Sequence, residues 1–187
     1  MTAKTFFIGD THFSHKNIIK FEPYYRPFDT IEEHDQELIR RWNSVVRPED
    51  IVYHLGDVVF GKENFFKLGF LNGDKRLIMG NHDCYATKEY LRYFTKLYGC
   101  LQYNAFCILS HIPVNPMQLS KKYRYNIHGH LHSKNVKSII KAAPDEAHPM
   151  TSWNKEINDP RYINVSCEQI DLTPISWEDI KKRYMKE

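Results

Sequence analysis

Three times in the N-terminal half of the chain a short apolar run ends in glycine followed at once by a carboxylate or an amide. Thr5 to Ile8 leads into Gly9-Asp10, Ile51 to Leu55 into Gly56-Asp57, and Arg76 to Met79 into Gly80-Asn81. Each run is too short for a helix, so it reads as a buried strand that delivers a polar side chain at its C-terminal end. A helical pattern follows each one. Between the first two runs, Thr30 caps a helix with Ile31, Leu38, Ile39, Trp42 and Val46 on its apolar face, and Pro48 stops it. Weaker helical patterns cover Lys62 to Gly69 and Thr87 to Leu97. Strand, polar tip and helix in repetition require a layered α/β fold with a site along the strand ends.

The second half changes character. Leu101 to Leu109, Tyr123 to His128 and Tyr162 to Cys167 read as strands, and Ser176 caps a closing helix that runs to Tyr184. These later strands predict a second sheet packed on the first. The stretch from Lys134 to Pro160 has no periodicity and reads as a long loop or irregular hairpin. With 187 residues, 42% of them hydrophobic, the chain is sized for one domain spanning residues 1–187. No apolar stretch approaches the roughly 18 residues of a membrane span, and Asp10 comes too early for a signal peptide, so a cytoplasmic location is expected. Cys84, Cys100, Cys107 and Cys167 form no CxxC pair, which argues against disulfides and a thiolate zinc site and for reduced, mostly buried thiols.

The polar residues at the strand ends form one chemical set. They occur in the pieces GDTH, GD after VYHL, GNHD after RLIM, SH after CIL, and GHLH after YNI, and comprise Asp10, His12, Asp57, Asn81, His82, His111, His130 and His132. Carboxylate oxygen and imidazole nitrogen suit Mn, Fe, Ni, Co or Zn, whereas Mg or Ca would use almost only oxygen. So many donors exceed the needs of one tetrahedral ion. Two ions about 3.5 to 4 Å apart, bridged by a carboxylate and solvent, would use them and form a clamp for displacement at phosphorus.

In that order the five pieces resemble the motifs of the calcineurin-like metallophosphoesterase superfamily, and the chain is similar to its small bacterial or phage members. The resemblance implies a four-layer αββα sandwich, two mixed sheets flanked by helices, with two divalent metals at the strand tips, Mn first among the candidates. It implies that Asp10, His12 and His132 hold one ion, that Asn81, His111 and His130 hold the other, and that Asp57 bridges them. His82 matches the family histidine that assists the leaving group, while solvent held between the ions attacks phosphorus. One departure stands out. Protein Ser/Thr phosphatases carry GDxVDRG at the second motif, where this chain has Gly56-Asp57-Val58-Val59-Phe60-Gly61, without the Asp that orients the catalytic His or the Arg that clamps phosphate. Protein dephosphorylation is therefore disfavoured, and His82 needs another partner, with Asp83 adjacent in sequence.

Other residues carry weaker arguments. His15, His54 and His128 flank the motifs and suit hydrogen bonding to ligands or plain packing equally, and His34 and His148 carry no argument. Lys16, Asn17, Tyr24, Tyr25 and Arg26 follow the first motif, where cations could meet phosphate and rings could stack on a base, although a solvated loop explains them as well. Trp153 and Arg161 are in the same position, and Lys121, Lys122 and Arg124 read first as a solvated face. The expected activity is metal-dependent hydrolysis of a small phosphodiester, in preference to a phosphomonoester, with a nucleotide-like substrate; a phage-encoded member would act in the host-cell cytoplasm. The alternatives are a silent metal-binding scaffold and a nuclease. A net charge of +3 lacks the strongly basic stripe expected of a nucleic-acid partner.

Overall fold

The computed structural model describes residues 2–119, 123–142 and 153–185. Strand β1 (Thr5–Ile8) runs parallel to β2 (Ile51–His54), which runs parallel to β3 (Asp74–Ile78) and through it to β4 (Lys96–Tyr98). Ile8 pairs with His54 and His54 with Leu77, so the three predicted tips end in one row. Phe7, Ile8, Val52, Leu77 and Ile78 are buried, as continuous apolar runs must be when both faces of a parallel sheet are covered. Helix α1 (Ile18–Phe21) is a single turn after the first motif, and α2 (Ile31–Val45) has the complete Thr30/Glu33 capping box, burying Leu38 and Trp42.

Gly99 alone separates β4 from β5 (Cys100–Gln102), and there the chain passes into a second sheet. That sheet has the order β10-β7-β6-β5, with β6 (Cys107–Ser110), β7 (Tyr125–His128) and β10 (Tyr162–Asn164) mutually parallel. A separate hairpin pairs β8 (Lys137–Ala142) with β9 (Trp153–Asn158). Strand β11 (Ile175–Ser176) closes the first sheet antiparallel to β1, and α4 (Trp177–Tyr184) follows under the Ser176 cap. The architecture is thus the expected pair of mixed sheets flanked by helices. At one end the sheets meet, because Gly9 N–H donates to Val165 O (2.8 Å) and Val165 N–H to His128 O (2.8 Å). This junction brings the tips of both sheets together.

Several sequence expectations shift. The stretch at Lys62–Phe70 is a 3-10 helix. The helix expected over Thr87 to Leu97 is one turn, α3 (Thr87–Tyr90), and Lys96–Tyr98 instead supplies β4, satisfying the open edge of β3. Leu101 to Leu109 is two antiparallel strands, because Asn104 Oδ1 accepts the N–H groups of Phe106 and Cys107 and turns the chain between them. Tyr162 to Cys167 ends as a strand at Asn164, whose side chain accepts Ser166 N–H. Two thiols rather than a minority are exposed, Cys84 and Cys100, while Cys107 and Cys167 are buried. Lys121, Lys122, His148 and the side chain of Trp153 lie outside the described residues. Among the described residues, no helix is long and apolar enough to cross a membrane.

Candidate metal centre

The loops after the strands hold their polar residues in an unusual backbone state. Asp10 (φ 57°), His12 (50°), Asp57 (57°), His130 (69°) and His132 (50°) all occupy the left-handed region. Such a conformation costs a non-glycine residue of order 1–3 kcal/mol and persists only where surroundings over-determine it. The surroundings are visible. Asp10 N–H donates to Gly56 O (2.9 Å), His12 N–H to Asp57 O (3.0 Å), and His130 N–H to the Asp10 carboxylate (2.9 and 3.1 Å), so each strained loop is tied to another. Thr11 Oγ1 donates to Val58 O and accepts from His54 Nε2 (2.9 Å each), which gives His54 its role in fastening the first two loops.

Six side chains converge in two groups, Asp10 with His12 and His132, and Asp57 with His111 and His130; within each group the donor atoms lie within 4.8 Å of one another. Asp57 spans the groups, with Oδ2 3.8 Å from His12 Nε2 and 3.4 Å from His111 Nε2. Asn81 joins the second group through Oδ1, 2.9 Å from His111 Nε2. Close approach depends on glycine, since a Cβ at Gly80 would collide with the Asp57 carboxylate and one at Gly129 would sit 2.5 Å from Asp10 Oδ2.

These residues fit divalent ions. Both ring nitrogens of His12 are buried without a hydrogen-bond partner, a costly state for an imidazole unless a ligand occupies it. His111 Nδ1–H donates to Leu55 O (2.7 Å), so its Nε2 lone pair faces the oxygens of Asp57 and Asn81, and only a proton or a cation can sit between them. In the metal-free chain that position holds a proton. Burial opposes the charged imidazole, yet the Asp57 and Asp10 carboxylates outweigh it and raise the His111 pKa to about 9. Burial likewise raises Asp10 to about 6 against the pull of His111 and His132. Metal must displace the His111 proton, so Mn affinity should rise with pH between 7 and 9, by roughly tenfold per unit for one proton released. Calorimetric titrations across that range check it, and a flat affinity would refute it.

His82 is exposed beside the groups, its N–H donating to Asp57 Oδ1 (2.9 Å) and its ring set against Phe60 (5.4 Å between centroids) and His12 (5.9 Å). Asp83 is not its partner. The Asp83 carboxylate is turned inward and accepts the N–H groups of Asp57, Val58 and Gly80 (2.8 to 3.0 Å), pinning the second and third motifs together. Phe60, one residue before the glycine of that motif, occupies the flank of His82 and also stacks on His15 (4.1 Å).

Of the residues considered for substrate, Lys16, Asn17, Tyr24 and Tyr25 are exposed. Arg26 is a correction. It is fully buried and donates to the carbonyls of Asp10 (2.6 Å) and Thr11 (3.1 Å), to Glu168 (2.7 Å) and to His34 (2.8 Å), and so cannot reach a substrate. Arg161 is held by Asp159 (2.6 Å) and Arg124 is exposed over the Tyr125 ring, at the opposite end of the second sheet from the His130 tip. His128 is buried with Nδ1–H donating to Gly129 O. Residues that sequence reasoning missed are Glu168 and, as a support for Arg26, His34, neither of which lies in a motif position for a ligand.

Comparison with known proteins agrees with this geometry. The chain is 36% identical over 184 residues to the uncharacterized protein MJ1445 of Methanocaldococcus jannaschii, covering 96% of this chain and 90% of that one. It is 40% identical over 86 residues to the gene 66 protein of Mycobacterium phage L5, covering 43% of this chain and 40% of the phage protein. The solved structure of a protein of unknown function from Aquifex aeolicus, AQ665, superposes with a TM-score of 0.66 at 29% identity, over 97% of this chain and 99% of that one. The calcineurin-like phosphoesterase family model matches residues 3–179, so this chain belongs to the calcineurin-like phosphoesterase family of metal-dependent phosphoester hydrolases.

Proposed function

We propose that the protein hydrolyses a small, nucleotide-like phosphodiester at a two-metal centre, with Asp10, His12 and His132 around one ion, Asn81, His111 and His130 around the other, and Asp57 shared. The observation that carries this reading is the span of Asp57 across two three-residue donor groups, four of whose six side chains are buried and five of whose six residues sit in left-handed backbone. Bound divalent ions, Mn foremost and Ni, Fe, Co or Zn as candidates, would supply Lewis-acid charge to phosphoryl oxygens and acidify solvent. The chain itself orients the ligands, and the exposed imidazole of His82, whose ring has no carboxylate partner among the described residues, would assist the departing leaving group.

The placement of the cations supports a diester over a monoester. A monoester dianion calls for a guanidinium clamp. Here Gly61 stands where the protein phosphatases carry Arg, Arg26 is buried, and Lys67 is engaged by Asp35 (2.6 Å) and Ser14 (2.8 Å). Exposed Lys16, Asn17, Tyr24 and Tyr25 line the segment after the first motif and suit a singly charged phosphate bearing a ring.

Protein stripped by chelator should lose turnover and regain it with Mn, Ni or Co more than with Mg, because imidazole-rich donors match Mg poorly. A panel of cyclic nucleotides, dinucleotides, nucleoside monophosphates and nitrophenyl mono- and diesters should show faster turnover of diesters. Full activity in chelator refutes the metal reading; faster monoester turnover refutes the diester reading alone.

A further inference from the structure

Glu168 lies 36 residues beyond His132 in sequence, yet its Oε1 is 3.1 Å from His132 Nδ1 and 2.7 Å from Arg26 Nε, and its side chain is fully buried. Arg26 continues the contact inward. Its two terminal nitrogens donate to the carbonyls of Asp10 and Thr11 and to His34 Nε2; His34 Nδ1–H then donates to Asp35, which also receives Lys67 and the N–H of Ser14. The result is one buried file of alternating charge beneath the first donor group. Glu22 also approaches Glu168 and His132, but the Arg26 guanidinium already supplies the cation there, so this cluster is not a third metal position.

From this file we infer that Glu168 is a positioning residue for the first ion: it takes the His132 Nδ1 proton as a hydrogen bond, turns the Nε2 lone pair toward Asp10, and offsets the Arg26 charge that would otherwise repel a divalent ion. The inference rests on the metal reading of the centre and adds the element that makes its halves unequal. In the other half the corresponding orientation comes from the backbone: His111 Nδ1–H donates to Leu55 O. A histidine ligand whose remote nitrogen is bound to a carboxylate is a better donor, and losing the carboxylate typically costs about 10- to 100-fold in metal affinity.

Two measurements test it. Mn titration of chelator-stripped wild type and Glu168→Gln, followed by electron paramagnetic resonance of free Mn, should resolve two binding steps. One step should weaken about 10- to 100-fold in the variant while the other is unchanged. In the wild type, nitrogen NMR of metal-free protein at a pH that neutralises His132 should find the proton on Nδ1, although an imidazole in water favours Nε2; this needs no variant. Both steps unchanged in Glu168→Gln, both weakened alike, or a proton on Nε2 in the wild type each overturn the inference. No Mn binding by the wild type would instead overturn the metal reading itself.

Discussion

Asp57→Asn should lower turnover by about 10³ or more, and bound Mn should fall from two ions per chain to one or none. One carboxylate oxygen of Asp57 faces His12 in the first group and His111 in the second. If it bridges two ions, its negative charge offsets the repulsion between them. An asparagine keeps the Oδ1 that accepts His82 N–H but replaces Oδ2 with an NH₂ group, whose hydrogens point at the ions. The electrostatic clamp is worth several kcal/mol, and each 1.36 kcal/mol is about tenfold in rate. The backbone at Asp57 is held independently through the Asp83 carboxylate, so unfolding measured in chelator should shift little. Equilibrium dialysis that finds two ions at wild-type affinity would show that Asp57 is not shared.

The parts of this molecule that were legible in the sequence are those coded locally. A short apolar run ending in Gly-Asp reveals both a parallel strand and the side chain at its tip, and Thr30 with Glu33 reveals a helix start. What failed was set by distant partners. Tyr90, Leu91, Phe94 and Leu97 have helical spacing, but β3 had an open edge and drew Lys96–Tyr98 into the sheet. Asn104 carries a turn in a run that reads as one strand, because its effect lies in two hydrogen bonds rather than in hydropathy. At the site, the ligand candidates follow strands and are marked by glycine. The residues that hold them are not so marked: Glu168 meets Arg26 across 142 positions, and Asp83 looks from sequence like a neighbour of His82 while its carboxylate points the other way. Arg26, a cation in a polar loop, looked available for phosphate and proved to be the support under Asp10.

That inward turn of Asp83 sharpens what His82 should do. With Phe60 where the protein phosphatases place a carboxylate, the exposed imidazole of His82 packs beside the rings of Phe60 and His12 and belongs to neither donor group. His82→Ala removes an exposed ring and keeps the backbone N–H that binds Asp57; surface changes of that kind usually alter stability by about 0.5 kcal/mol or less. Bound Mn should therefore stay at the wild-type ratio. Turnover should fall, because general acid assistance to a leaving group is typically worth about 10² to 10⁴ in rate. The loss should be large for an alkoxide leaving group, which must be protonated as it departs, and small for nitrophenolate, which leaves as a stable anion. Comparing kcat for the two ester types in His82→Ala and wild type at saturating Mn reads this out. A variant that loses metal would make His82 a ligand, whereas equal losses on both esters would make it a stabiliser of charge on the phosphoryl group. If neither ester is affected, the proton comes from elsewhere, and His15, stacked on Phe60, is the next side chain to replace.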